Sequence, residues 1–264
     1  MKKRTIEDFG NQWKIHGQLN EDHWTSDKMF RDHFPKTFDF SIFSGAKVLE
    51  VGSGSGRILQ MISRYNPSQL IGIEPSDAFE NLRVNTNTLN NLHLKNISGS
   101  DFDEKEIDVI VSFGVIHHIP MPDIVIENVY KSLKVGGIFV MWVYGYENNK
   151  LYVLMQKILR IFTTRLPDFM LDRFSFLISF LFDLYGLISK MLFLGRLPLS
   201  GYFENVFSRC GRNEKKYIIF DQLNPSFAKY YKKSEVLTLL RKNGFTNIEM
   251  YHRHGYSWTA LAIK

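Results

Sequence analysis

The sequence predicts a doubly wound α/β domain, and two observations carry the prediction. The stretch from Val48 to Arg57, VLEVGSGSGR, runs a short aliphatic strand into Gly52, Gly54 and Gly56; Ile58, Leu59, Met61 and Ile62 then recur at helical spacing. Strand, glycine turn and helix in that order open an α/β unit whose ligand crevice lies at the strand's carboxyl end. Downstream, short β-rich runs alternate with helical stretches. That alternation indicates a parallel sheet with helices on both faces.

Taken in order, Lys47–Val51 is the first expected strand and 57–65 the first helix of the core. Residues 69–74 form the second strand, 77–87 a helix, 92–98 the third strand and 107–113 the fourth. A helix over 125–133 and a strand over 137–144 follow. Ser234 is placed to cap a last helix reaching Lys242, where Arg241 and Lys242 suit the negative end and Gly244 can close it. Two closing strands are expected over 247–253 and 258–263. Before the core, residues 1–44 are aromatic and polar, with Trp13, Trp24, Phe30, Phe34, Phe38, Phe40 and Phe43. They are expected as one or two short helices beside the crevice, either filling a core groove or covering a ligand.

Composition sets bounds on function. The chain's 264 residues, 44% hydrophobic and 23% charged, are enough for one large domain with an insertion. A net charge of +6 with scattered Lys and Arg gives no basic stripe for nucleic acid. The one cysteine, Cys210, excludes an internal disulfide and a cysteine-rich zinc site. The basic start is followed by Glu7, Asp8, Asn11 and Gln12 instead of an apolar run, so no secretory signal is read and a cytoplasmic location is expected.

The glycine spacing narrows the ligand. A dinucleotide fingerprint needs a glycine where Arg57 stands, and a P-loop needs a Gly-Lys-Ser/Thr ending that is missing. What remains is a loop bringing bare backbone against a nucleoside without a pyrophosphate, best matched by S-adenosyl-L-methionine. Four blocks then occur in order: E-x-G-x-G-x-G from Glu50, IGIEPS from Ile71, DVIVSFGVIHHI from Asp108 and LKVGGIFVMWVYG from Leu133. Together they resemble the class I S-adenosylmethionine-dependent methyltransferases of the small-molecule, ubiquinone-biosynthesis type. The resemblance is strong over 45–146 and looser over 217–264. It implies a Rossmann-like, seven-stranded, mostly parallel sheet with an antiparallel C-terminal hairpin.

The resemblance also implies site residues. The cofactor loop is Glu50, Gly52, Ser53, Gly54 and Gly56; Glu74, followed by Pro75, stands where an acid accepts the ribose hydroxyls. Glu50 is costly to bury in an apolar strand end unless paired, and is expected beneath the loop, organising amides or approaching the methionine ammonium. Asp101 is the adenine-binding acid, one position later than usual, with the backbone near Phe102 as the alternative. Ser112 and Phe113 end the fourth strand, where the crevice opens towards the methyl group. His117 and His118 follow as candidate general bases, because imidazole titrates near neutrality, or else as turn-shaping residues. No further ligand has metal spacing beside them, so no metal is expected. Trp142, Tyr144 and Tyr146 are expected on the acceptor side, where aromatic faces suit a sulfonium or a ring.

Residues 147–223 form an insertion, leaving 224–264 to complete the core. Leu151, Leu154, Met155, Ile158, Leu159 and Phe162 share one helical face opposite Gln156, Lys157 and Arg160. A second segment, 174–194, is apolar nearly all round and long enough to span a bilayer. Asp183 at its centre and Lys190 oppose spanning, each at a cost of about 2.5–3.5 kcal/mol. A helical lid over the sheet is therefore expected, with a homodimer through 151–199 and peripheral membrane contact as the other covers for this apolar surface. The expected activity is methyl transfer by SN2 displacement to a small-molecule, glycan- or lipid-linked acceptor. The alternatives are a non-catalytic cofactor-binding assembly module, or an RNA or protein methyltransferase. Against RNA, the fourth strand ends in SFGVIHHI without the Pro-Pro-aromatic motif of amino methylators.

Overall fold

A computed structural model of the chain describes residues 3–16, 26–191 and 199–264. Trp24 and residues 192–194 of the second apolar segment lie outside them. Two helices, α1 (Lys3–His16) and α2 (Asp27–Arg31), precede the sheet. The core then runs β1 (Lys47–Val51), α3 (Arg57–Ser63), β2 (Gln69–Ile73), α4 (Phe79–Asn85), β3 (Leu92–Lys95), β4 (Ile107–Phe113), α5 (Asp123–Ser132) and β5 (Leu133–Tyr144). The insertion contributes α6 (Lys150–Thr163), α7 (Asp168–Met191), α8 (Ser200–Asn205) and α9 (Arg212–Leu223). The chain closes with α10 (Lys233–Lys242), β6 (Thr246–Arg253) and β7 (Ser257–Ile263).

The seven strands form one sheet in the order β3-β2-β1-β4-β5-β7-β6. Pairing is parallel from β3 through β5; β7 then runs antiparallel to β5, and β6 antiparallel to β7. The expected Rossmann-like fold is therefore present. Strand order reverses between β1 and β4, so their carboxyl ends at Val51 and Phe113 flank the crevice where such folds bind ligands.

Strand parity divides the core. Leu49, Val51, Ile71 and Ile73 pack with Val125 and Ile126 of α5 and Val236 and Leu240 of α10 on one face. Val48, Leu70, Val109 and Val111 pack with Ile58, Leu59 and Ile62 of α3 on the other. Phe30, Phe34 and Phe43 join that second face, stacking among themselves and on Phe113, so these N-terminal aromatics are core. A third cluster lies wholly in the insertion, built from Leu171, Phe203, Phe207, Ile218 and Phe220.

Two boundaries differ instructively from expectation. The fifth strand begins at Leu133 rather than 137, because Gly136 and Gly137 make an irregularity within the strand instead of preceding it: Leu133 pairs with Ile107 and the register shifts before Ile138 pairs with Val109. The last helix begins at Lys233, with Ser234 inside its first turn. Its end is organised by Glu235, whose carboxylate accepts the Lys232 N–H at 2.8 Å.

Candidate active site

The glycine loop is pinned before any ligand enters. The Gly52 and Ser53 amides both donate to the Ile73 carbonyl, at 2.8 and 2.9 Å, tying the loop to the end of β2. Gly52 has φ +78°, and a Cβ there would overlap Val115 of the loop after β4. Gly54, at φ +52°, has space for a Cβ only 3.2 Å from the Trp13 ring. A side chain at either position therefore meets both a disfavoured backbone and a neighbour.

Glu74, 7% exposed, is held by the same loop. One carboxylate oxygen accepts the Gly54 N–H at 2.9 Å; the other accepts the Ser76 N–H and hydroxyl at 3.0 and 2.6 Å. Asn96 donates to its carbonyl at 2.8 Å. The acid is thus fixed between the ends of β1 and β2. Glu50 lies one layer below, fully buried. Burial raises its carboxyl to about 8, against smaller opposing contributions from Ser53 and Arg57, and its Oε2 has no partner.

Above the sheet lies a cavity of about 820 Å³. On the β1–β2 side it is walled by Gly52, Gly54, Glu74, Pro75 and Ser76, with Ser98 and Gly99 after β3. Phe9 and Trp13 of α1 line the same space. Phe113, Trp142 and Tyr144, from the ends of β4 and β5, line the other half together with α6, α7 and α9. The aromatic lead-in therefore divides: Phe9 and Trp13 cover the cavity, while Phe30, Phe34 and Phe43 fill core.

Several residues singled out in sequence do not reach the cavity. Asp101 is exposed and takes its hydrogen bond from the Ser100 hydroxyl, and Phe102 is core. The cause is the early end of β3 at Lys95: the following turn presents Ser98 and Gly99 instead. Ser53 and Gly56 support the loop from beneath. Ser112 donates to the Val51 carbonyl at 3.1 Å, bracing β4 on β1. Tyr146 falls beyond the end of β5, half-buried beneath Lys232.

The two histidines part ways. His117 is wholly buried, with neither ring nitrogen partnered and its ring 3.9 Å from that of Tyr144; burial holds it well below its ordinary value. His118 lines the cavity and packs on Phe9. Its Nδ1 lies 2.8 Å from the Phe227 carbonyl and so carries the proton, while burial pulls its pKa down to about 3.

Sequence reasoning missed a carboxylate in the same cavity. Asp221 of α9 accepts from the Gln12 amide at 2.7 Å and from the Tyr144 hydroxyl at 3.0 Å. Gln222 donates to that hydroxyl at 2.7 Å. Burial pushes Asp221 above the usual carboxylate range, outweighing these hydrogen bonds. The available signal was an acid following Ile218, Ile219 and Phe220 in a short helix, all three of which are buried. Among the described residues, no group of three or more His, Cys, Asp or Glu is arranged to hold a metal ion.

Sheet order and crevice are those of α/β folds that bind a nucleoside ligand at the strands' carboxyl ends. Residues 49–139 match the methyltransferase-domain family. A tRNA U34 carboxymethyltransferase of Alteromonas mediterranea is 24% identical over 150 residues, covering 53% of this chain and 44% of that protein. The match thus spans under half of that relative's length. The fold resembles a chain of the Haloferax volcanii complex containing the Trm112 methyltransferase activator, with TM-score 0.57, 14% identity and coverage of 98% and 96%. It also resembles human N-acetylserotonin methyltransferase in complex with S-adenosylmethionine, with TM-score 0.53, 13% identity and coverage of 96% and 62%. The bare Gly52–Gly54 backbone beside a fixed acid fits that cofactor.

Proposed function

We propose that the chain transfers a methyl group from S-adenosylmethionine to an apolar or amphipathic acceptor, a small molecule or a glycan- or lipid-linked compound. The supporting observation is the continuous cavity joining the Glu74 side to a second half walled by Trp142, Tyr144 and the apolar side chains of α6 and α7. Glu74 would accept the ribose hydroxyls, the Gly52–Gly54 backbone would admit the cofactor closely, and Ser98 and Gly99 would border the adenine. The bound cofactor supplies an already activated sulfonium methyl. The protein is left to align the acceptor, exclude water and take a proton. Phe113 and Trp142 align the acceptor. For a hydroxyl or amine acceptor, Asp221 would take the proton that the acceptor sheds on gaining the methyl, the carbon–sulfur bonding pair staying with the departing thioether. A base tuned above the ordinary carboxylate range suits neutral pH better than an imidazole held near 3.

The tRNA-modifying relative favours an RNA acceptor as a second reading. The largely apolar acceptor half of the cavity weighs against it, since nucleic-acid sites rely on cations for phosphates. Incubating the protein with cell extract and deuterated-methyl cofactor tests both. Labelled product in the organic-extractable or glycan fraction is expected. Label confined to RNA or protein would overturn the proposal, as would cofactor binding without any labelled product.

A further inference from the structure

The outer surfaces of α6 and α7 are built against the usual rule for surface helices. Leu154, Ile158 and Phe162 on α6 are 55%, 51% and 65% exposed; Leu177, Leu184 and Met191 on α7 are 60%, 52% and 68% exposed. From Phe176 to Ile188 the exposed residues of α7 are all apolar. Yet no described helix is long and apolar enough to cross a membrane. The polar side of α7 is turned inward: Asp172 pairs with Lys216, and Asp183 with Arg212 and Lys215, all on α9.

Charge distinguishes what can cover such a face. α6 contains no acid; of the three acids of α7, Asp172 and Asp183 are engaged on α9, which leaves Asp168 at the helix start. Lys150, Lys157, Arg165 and Arg173 are exposed, and among the described residues none is in an ion pair. A second copy meeting this face would bring cations against cations with few acids to match. An anionic lipid surface supplies the opposite charge and accepts the apolar residues together.

The face also meets the cavity. Leu151 and Met155 of α6 and Leu181 of α7 line it, yet are 57%, 50% and 54% exposed. α6 and α7 each pack on α9 more than on one another, and side chains of both border the cavity.

We propose that the α6–α7 face lies in the headgroup region of an anionic phospholipid bilayer, with the seam between the helices opening the active-site cavity onto it. The seam's purpose rests on the acceptor reading above, since it admits an acceptor that carries an apolar chain; the docking itself does not. Flotation of the whole protein with vesicles tests the docking without requiring turnover. The protein should rise with phosphatidylcholine/phosphatidylglycerol vesicles and much less with phosphatidylcholine alone. K157E/R173E should weaken binding at least about tenfold, and L177D/L184D should abolish it. Calorimetric cofactor affinity should be unchanged in both variants, which reports that they fold. Absence of flotation, or equal binding to both vesicle types unaffected by K157E/R173E, would overturn the proposal. So would a stable dimer that L177D/L184D converts to monomer. In a separate assay, deuterated-methyl label appearing only in water-soluble product from a protein that floats would overturn the seam and the lipid-linked acceptor, while leaving docking intact.

Discussion

The Tyr144 hydroxyl donates to Asp221 at 3.0 Å and joins the last residue of β5 to the helix α9 of the insertion. The bond holds a carboxylate from outside the sheet at the wall of the cavity, on the side proposed for the acceptor. Asp221→Asn should keep cofactor affinity and lower turnover by roughly 10²–10⁴-fold. Because the base works deprotonated, wild-type turnover should fall as pH drops through its raised pKa, and D221N should lose that acidic limb. Steady-state rates across pH check both.

Cofactor affinity should depend on Glu74 and Gly54. Glu74→Ala removes the charge-assisted hydrogen bonds proposed to the ribose, worth about 1.5–3 kcal/mol each, and also releases the Gly54 amide. Gly54→Val forces a branched residue into a left-handed backbone beside Trp13. Calorimetry should register weakening of about two orders of magnitude or more in each, with melting still cooperative.

His118→Ala is expected to leave turnover within about tenfold of wild type. With Nδ1 committed to the Phe227 carbonyl and the pKa near 3, this ring stays neutral through the physiological range. NMR should show no titration of His118 between about pH 5 and 8, around the free imidazole value.

Glu50 makes stability depend on pH. Between 4.5 and about 8 the native state keeps a proton that the unfolded chain has released, so stability falls as pH rises through that window. Glu50→Gln should flatten the dependence. Urea midpoints of both proteins across the window supply the comparison.

Arg253, 1% exposed, ties β6 to α2 through Asp32, at 2.7 Å. Burial alone would raise Asp32, but hydrogen bonds from His254 and the Arg253 charge hold it well below the usual range. The stability it gives is present above its unfolded value and lost as pH falls towards its folded one. Arg253→Met should cost about 1.5–3 kcal/mol by removing the guanidinium from Asp32 and leaving His254 as its partner, measurable by urea unfolding at neutral pH.

How far the sequence reaches depends on the kind of pattern involved. β1, β4 and the glycine loop were legible because strand parity and the left-handed positions at Gly52 and Gly54 are local constraints. Glu74 was legible because it directly follows a clean strand. Asp101 misled because β3 ends at Lys95, three residues short of the expected strand, and the chain turns at 99–101. Asp221 was hidden for a different reason. Its partners Gln12 and Tyr144 lie far away in sequence, and only the folded insertion brings α1, β5 and α9 together.

Gln12 makes the cover and the base mechanically one part. Its amide holds Asp221 and Tyr217, while its carbonyl oxygen accepts from Asn224 at 3.0 Å. Any displacement of α1 that lifts Trp13 from Gly54 also withdraws the Gln12 amide from Asp221 and Tyr217. The carboxylate proposed as base is therefore positioned from the same turn of α1 that lays Trp13 over the glycine loop.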